Sequence, residues 1–122
     1  MMRGSTTVLT VENVGDSLAY YRDKLGFAVA FEYGTPTFYV GLCSGGVSLH
    51  LIATSHTQPP RQPGQGGVVI FVDDVDSVHA DLVRRGATIV VAPGDRDYGL
   101  RDFNVADPDG NMLVFGCETK PA

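Results

Sequence analysis

The residue best suited to chemistry in this sequence is His50, which lies in the middle of the strand-like run VSLHLIAT over residues 47–54. A neutral imidazole binds divalent metals, exchanges protons near neutral pH and forms hydrogen bonds with ligands. Alternation along this run places Ser48 and His50 on one face, opposite its apolar residues. If the apolar residues face a helix, Ser48 and His50 face a groove. There His50 either contacts a ligand or is hydrogen-bonded within the protein.

A catalytic metal centre would need about three nitrogen or oxygen ligands and an open position. Of the other two histidines, His56 lies in a segment rich in Pro, Gln and Gly, and His79 lies in a helix-like segment. Cys43 and Cys117 stand in or beside apolar runs and are expected to be buried free thiols. A zinc site would need further Cys or His residues at ligand spacing.

Aromatic side chains are a second group of candidate ligand contacts, because flat heteroaromatic rings stack on them without any chemical reaction. The candidates are Phe31, Phe38, Tyr39 and Tyr98. Strand alternation separates Phe38 from Tyr39, so only one of the two faces the groove. Packing in the core is the competing interpretation for Phe31 and Phe38.

A mixed-charge segment surrounds Tyr98 in the second half of the chain and contains Asp95, Arg96, Asp97 and Arg101. In one interpretation Asp97, together with Asp95, holds a cationic ligand group near Tyr98, and Arg101 also contacts the ligand. In the other, these residues form a solvated loop whose ion pairs contribute little.

Composition narrows the classes of function. The chain has 122 residues, a formal net charge of −5 and no cluster of Lys and Arg, which argues against nucleic acid and anionic membranes as partners. An acidic protein favours cationic ligands weakly. No apolar run reaches the length of a membrane span, and the N-terminal residues lack the apolar region of a signal peptide. The expected location is therefore the cytoplasm.

An internal repeat in the sequence predicts the helices and strands that position these residues. Residues 6–27 and 67–87 share one pattern: an apolar strand, an N-cap (Asn13 or Asp74), an amphipathic helix and a glycine. Three further strands follow each helix. They are predicted at residues 27–33, 37–42 and 47–53 in the first half, and at 88–92, 101–106 and 111–117 in the second.

The repeat predicts one domain over residues 1–122, made of βαβββ modules 5–53 and 67–118 joined by the linker 54–66. Between the last two strands, DPDGN at residues 107–111 is typical of a tight hairpin turn. One helix covers only one face of a four-stranded sheet. We therefore expect an α+β fold in which two curved mixed sheets enclose a concave cleft, within the chain or with a second copy of it.

The motifs VENVGDSLAYYRDKLGF and DPDGNMLVF, in this duplicated arrangement, resemble the vicinal oxygen chelate superfamily over residues 6–117. That superfamily includes glyoxalase I, extradiol dioxygenases, fosfomycin-resistance enzymes and bleomycin-resistance proteins. The resemblance implies four positions for metal ligands, which fall on Thr6, His50, Gly67 and Val114. Family enzymes usually carry His or Glu there, so this chain retains one such residue.

Among members without the metal set, the bleomycin-resistance proteins are the most similar. The shared features are an aromatic–glycine pair at Tyr98, the element Arg101-Asp102-Phe103 and the DPDGN turn. This chain has Tyr98 where drug-binding members commonly have Trp, and one extra residue before DPDGN. The resemblance implies non-catalytic sequestration of an unmodified antibiotic, without a metal cofactor, in the grooves of a symmetric homodimer.

These considerations predict a ligand-binding set and leave other functions open. The predicted set is Phe31, Phe38, Tyr39, Ser48, His50, Asp97, Tyr98 and Arg101. The alternative is a metal-dependent, glyoxalase-like lyase or isomerase, or a dioxygenase. Such an enzyme would have a substituted ligand set in which Glu32, Asp102 or Glu118 joins His50. A small-molecule sensor or accessory subunit is a third possibility.

Overall fold

The computed structural model describes residues 1–58 and 60–119 and contains two α-helices and eight strands in these ranges. The elements are β1 (Thr7–Val11), α1 (Val14–Asp23), β2 (Ala28–Tyr33), β3 (Tyr39–Ser44), β4 (Val47–Ala53), β5 (Gly67–Phe71), α2 (Val75–Arg85), β6 (Thr88–Asp95), β7 (Leu100–Ala106) and β8 (Met112–Glu118). Each half therefore has the order βαβββ. The predicted α+β fold with a duplicated module is confirmed.

Both helices begin at a side-chain cap that the sequence predicted. The Asn13 side chain accepts a hydrogen bond from the Asp16 backbone N–H at 3.0 Å, and the Asp74 side chain accepts one from the Ser77 N–H at 3.1 Å. The Ser77 N–H stabilises the ionised carboxylate and so lowers the pKa of Asp74. Gly86 ends α2 in the left-handed conformation, with φ of 86°.

Each module forms one four-stranded mixed sheet. The strand orders are β1-β4-β3-β2 and β5-β8-β7-β6, and in each the first pair is parallel and the others antiparallel. Alternate residues of the central strands pack against the helices; the buried ones include Leu9, Val40, Leu42, Leu49, Leu51, Phe103, Val105 and Leu113. The other face of each sheet carries no helix, and we call it the open face. Cys43 lies there because it alternates with buried Leu42, so the expectation of two buried thiols is wrong for this residue.

A turn from the second module connects the two halves. Tyr21 donates a hydrogen bond from its hydroxyl to Asp107 Oδ2 at 2.9 Å, and the Asn111 Nδ2 donates to the Thr10 carbonyl at 2.9 Å and to the same Asp107 oxygen at 2.9 Å. All four residues are buried. Burial of the Tyr21 side chain raises the pKa of its hydroxyl far above the ordinary value, and the negative charge of the Asp107 carboxylate raises it further.

The linker contacts both the first module and the turn at residues 107–111. A short 3₁₀ turn occupies Thr54–His56, the Gly64 N–H donates to the Thr10 carbonyl, and the Gly66 N–H donates to Asn111 Oδ1. These bonds tie the linker to both halves. Within the described ranges, neither helix has the length and hydropathy that crossing a membrane requires.

Candidate functional site

The open face of the first sheet carries a compact group of aromatic side chains. The strand register aligns His50, Gly41 and Phe31 across β4, β3 and β2. The Phe31 ring lies directly over Gly41, since a Cβ atom built on this glycine would come within 2.1 Å of the ring. Glycine in a strand interior often marks such a close approach. Gly41 therefore provides the space that lets Phe31 lie across the sheet.

Phe31, Tyr39 and His50 form what we call the aromatic cluster. The rings of Phe31 and Tyr39 are nearly parallel, with centroids 6.1 Å apart, and the His50 ring meets Phe31 edge-on at 5.2 Å. The Tyr39 hydroxyl and His50 Nδ1 are hydrogen-bonded at 2.8 Å. The other ring nitrogen, Nε2, has no hydrogen-bond partner in the part of the chain that the structure describes. The cluster thus presents an aromatic surface with one polar atom available to a ligand.

The metal-ligand positions implied by the family resemblance do not form a metal centre. Gly67 and Val114 have no donor atom in their side chains, and the Thr6 hydroxyl donates a hydrogen bond to the Ser48 hydroxyl at 3.0 Å. Over residues 1–58 and 60–119, no group of three or more His, Cys, Asp or Glu residues is placed to hold a metal ion. His50 is the one strong donor among the four positions, so this donor set does not fit the metal site of the family's enzymes.

A cluster of hydrogen-bonded polar side chains lies on the open face of the second sheet. The Tyr98 hydroxyl donates to Asp102 Oδ2 at 2.6 Å, and the Arg96 Nε donates to Asp102 Oδ1 at 2.8 Å. Asp102 is buried, and the Tyr98 hydroxyl, with Arg96, holds the pKa of its carboxyl below the usual range. Both carboxylate oxygens of Asp102 already have strong partners. It is consequently a poor candidate for a substituted metal ligand.

The structure distinguishes between Phe38 and Tyr39 as groove residues. Tyr39 belongs to the aromatic cluster on the open face. The Phe38 ring instead stacks on His56, with centroids 3.9 Å apart, and meets Tyr33 edge-on at 5.5 Å. Phe38 therefore anchors the start of the linker against β2 and β3.

The charged candidates of the second half do not converge on one site. Arg101 lies two residues before buried Phe103 and so points to the same, helix side of β7, where it forms ion pairs with Asp76 at 2.8 Å and Asp95 at 3.2 Å. The carboxylate of Asp76, and then that of Asp95, raises the pKa of Arg101. Asp97 is exposed, and none of the hydrogen bonds among the described residues involves its side chain. Burial of Phe103, which the sequence suggests, was the signal that could have placed Arg101 on the helix side.

The comparisons with known proteins agree with this architecture. The family model described as the glyoxalase/bleomycin resistance protein/dioxygenase superfamily matches residues 5–115. The chain belongs to this superfamily. No curated protein matches the sequence.

Several solved structures share the fold. A bleomycin-binding protein from bleomycin-producing Streptomyces verticillus, solved with copper(II)-bleomycin, is 27% identical with a TM-score of 0.77, over 94% of this chain and 95% of that chain. A superfamily member from Sphaerobacter thermophilus is 24% identical with a TM-score of 0.81, over 95% and 97% of the two chains. The antibiotic-binding protein TnmS3 from a Streptomyces species is 21% identical with a TM-score of 0.79, over 98% of both chains.

Proposed function

We propose that this protein is a non-catalytic small-molecule-binding protein of the bleomycin-resistance type, which sequesters an aromatic, cationic antibiotic. The observation that carries the proposal is the aromatic cluster of Phe31, Tyr39 and His50 on an open sheet face, at a position where the family's enzymes place a metal ligand. The bleomycin-binding structural neighbour supports the same class of function. The proposed location is the cytoplasm.

The chemistry of the cluster favours a flat heteroaromatic ligand. Phe31 is 41% exposed, so one face of its ring is available for stacking while the other lies over Gly41. His50 Nε2 would donate or accept one hydrogen bond at the edge of the ligand, with Ser48 beside it. The net charge of −5 and the exposed Asp97 near Tyr98 favour a cationic ligand tail. In this proposal Phe38 and Arg101 support the structure and do not contact the ligand.

The proposal includes a homodimer whose grooves form between open faces. Large apolar side chains are exposed on these faces; they include Val8, Phe31 and Tyr33 on the first sheet and Val69, Phe71 and Val91 on the second. Apolar patches of this kind mark surfaces that a partner covers. Analytical ultracentrifugation should give twice the 13.0 kDa mass of one chain. A monomer at all concentrations would contradict this part of the proposal.

Drug binding is tested by calorimetric titration with metal-free bleomycin and with its copper(II) complex. We expect saturable binding, and we expect Phe31→Ala to weaken it by about tenfold or more, because a stacking contact contributes on the order of 1 kcal/mol beyond the area it buries. Val83→Ala, at an exposed position of α2, is the control and should leave the affinity unchanged. If neither form of the drug binds, bleomycin is not the ligand. If other cationic aromatic antibiotics also fail to bind, the sequestration proposal is wrong.

The proposal includes no resident metal. Metal analysis of untagged protein purified without chelator should give a substoichiometric metal content, and adding nickel, zinc, manganese or iron should not raise the melting temperature. A stoichiometric metal that His50→Ala abolishes would instead favour the metal-dependent enzyme. Turnover of a glyoxal–thiol adduct or a catechol would then be the next measurement.

A further inference from the structure

A cavity of about 530 Å³ lies on the helix side of the second sheet, away from the aromatic cluster. It opens between α2, the end of β5, the turn between β3 and β4, and the segment that joins α1 to β2. Its lining residues include Phe27, Gly46, Ile70, Asp73, Val78, Leu82, Arg85 and Phe115. The volume falls in the range of about 300–1,000 Å³ that small-molecule sites occupy.

The corresponding space in the first half is filled by the chain itself. There the turn 107–111 reaches α1, where Asp107 accepts from Tyr21 and Asp109 accepts from the Glu12 N–H at 3.2 Å and from the Ser17 hydroxyl at 3.5 Å. Counted from the N-caps Asn13 and Asp74, the positions of Glu12, Ser17 and Tyr21 correspond to those of three residues in the second half. These three are Asp73, Val78 and Leu82, and all of them line the cavity.

The cavity is present because the turn between β3 and β4 is too short to fill this space. Only Gly45 and Gly46 separate the two strands, and a Cβ atom built on either glycine would meet no atom of the described chain within 4 Å. The replacement of Tyr21 by Leu82 also makes the floor of the cavity apolar. The second half thus has a mainly apolar cavity at the place where the chain itself fills the corresponding, polar space of the first half.

The polar groups at the rim indicate the charge of an occupant. Asp81 is already paired with Arg84 and with Arg85, the latter at 2.9 Å, and the guanidinium of Arg85 lies against Gly26 at one end of the cavity. Asp73 forms no ion pair within residues 1–58 and 60–119. Its carboxylate is therefore the available charge at the rim, next to the N-cap carboxylate of Asp74.

We propose that this cavity is a second small-molecule site, which binds a compact aromatic or branched apolar molecule that carries one ammonium group. The apolar body would lie against Ile70, Leu82 and Phe115, and the ammonium group would face Asp73. An anionic occupant would face the carboxylate of Asp73, while the guanidinium of Arg85 in the lining is already paired with Asp81. This site is separate from the proposed drug groove and does not depend on it.

The test uses three probes of one shape in ¹H–¹⁵N NMR titrations of the intact protein: 2-naphthylmethylamine, 2-naphthylmethanol and 2-naphthoate. We expect the amine to shift the backbone signals of Gly46, Asp73 and Ser77, and to bind about threefold to fivefold more tightly than the alcohol, as expected for one exposed ion pair. The carboxylate should bind most weakly.

Variants of lining residues identify the site. Gly46→Phe should abolish the shifts at Asp73 and Ser77 by filling the cavity, and Asp73→Asn should remove the preference for the amine over the alcohol. Glu12→Gln, at the corresponding position of the first half, is the matched control and should change neither. Melting temperatures verify that each variant is folded.

Two results would overturn the inference. If no probe shifts the signals of residues around the cavity, the cavity is not a binding site; if all three probes bind there equally, the assignment to ammonium ligands is wrong. Shifts confined to Phe31, Tyr39 and His50 would also count against the cavity while leaving the proposed groove intact. The same spectra therefore distinguish failure of this inference from failure of the proposed function.

Discussion

The two hairpin turns of this molecule occupy corresponding positions in its modules but have opposite roles. The turn between β7 and β8 carries Asp107 and Asn111, whose buried side chains bond to Tyr21 and Thr10 in the other module. The turn between β3 and β4 carries two glycines and reaches nothing equivalent. One turn joins the halves, whereas the other leaves a cavity of about 530 Å³. A repeated pattern of strands and helices therefore does not imply symmetric packing, because short segments between strands decide which surfaces meet.

The largest expected effect comes from removing the carboxylate of Asp107, which accepts hydrogen bonds in the turn between β7 and β8. Asp107→Ala removes the acceptor of four hydrogen bonds, which come from the Tyr21 hydroxyl, the Asn111 Nδ2 and the backbone N–H groups of Asp109 and Asn111. Each buried group left unsatisfied costs about 1–3 kcal/mol, so we expect a loss of roughly 3 kcal/mol or more in the free energy of unfolding. Urea denaturation followed by circular dichroism measures it. The control Ser44→Ala, at the exposed end of β3 next to the short turn, should stay within about 0.5 kcal/mol. Equal losses in the two variants would contradict the proposed division of roles.

A smaller effect is expected from Tyr21→Phe, which removes one buried hydrogen bond and should cost about 1–2 kcal/mol at neutral pH. The difference should also depend on pH. Since folding raises the pKa of Tyr21 above its unfolded value of 10.0, this residue's contribution is complete below pH 10 and is lost as the pH rises toward the folded-state pKa. The stability advantage of wild type over the variant should therefore decrease above pH 10. A difference that stays constant between pH 8 and pH 11 would show that Tyr21 ionises equally easily in the folded and unfolded states.

The smallest effect concerns the short turn. Gly46→Leu places an apolar side chain at the edge of the cavity, where a Cβ atom meets nothing within 4 Å and where φ is not positive. We expect a gain of about 0.5–1 kcal/mol from cavity filling, measured as a higher urea midpoint. A loss of stability would mean that the short turn is already well packed. Gly45 is unsuitable for the same change because its φ is 55°.

Local features of the fold were predictable from the sequence. Asn13 and Asp74 cap their helices through hydrogen bonds three residues away, and such bonds depend only on neighbouring residues. Strand alternation also predicted that Ser48 and His50 share a face, since side chains alternate with a period of two. The same rule, applied from Phe103, would have placed Arg101 on the helix side of β7.

Contacts between strands were not predictable in the same way. The sequence left the choice between Phe38 and Tyr39 open, and nothing in it indicated that Phe31 would lie over Gly41 or that Tyr39 would bond to His50. These contacts depend on the register between β2, β3 and β4. A shift of one residue in that register would move each side chain to the other face.

The sequence by itself determined the duplicated βαβββ order, the helix caps, the tight DPDGN turn and the loss of donors at Gly67 and Val114, because each follows from residue type and local spacing. Only the tertiary structure decided that Asp107 bonds to Tyr21, that His50 bonds to Tyr39 and that a cavity lies beside Leu82. Those features join residues far apart in the chain, such as Tyr21 and Asp107, which are 86 positions apart. Their contact free energies depend on how two sheets pack, and local sequence patterns do not determine that packing.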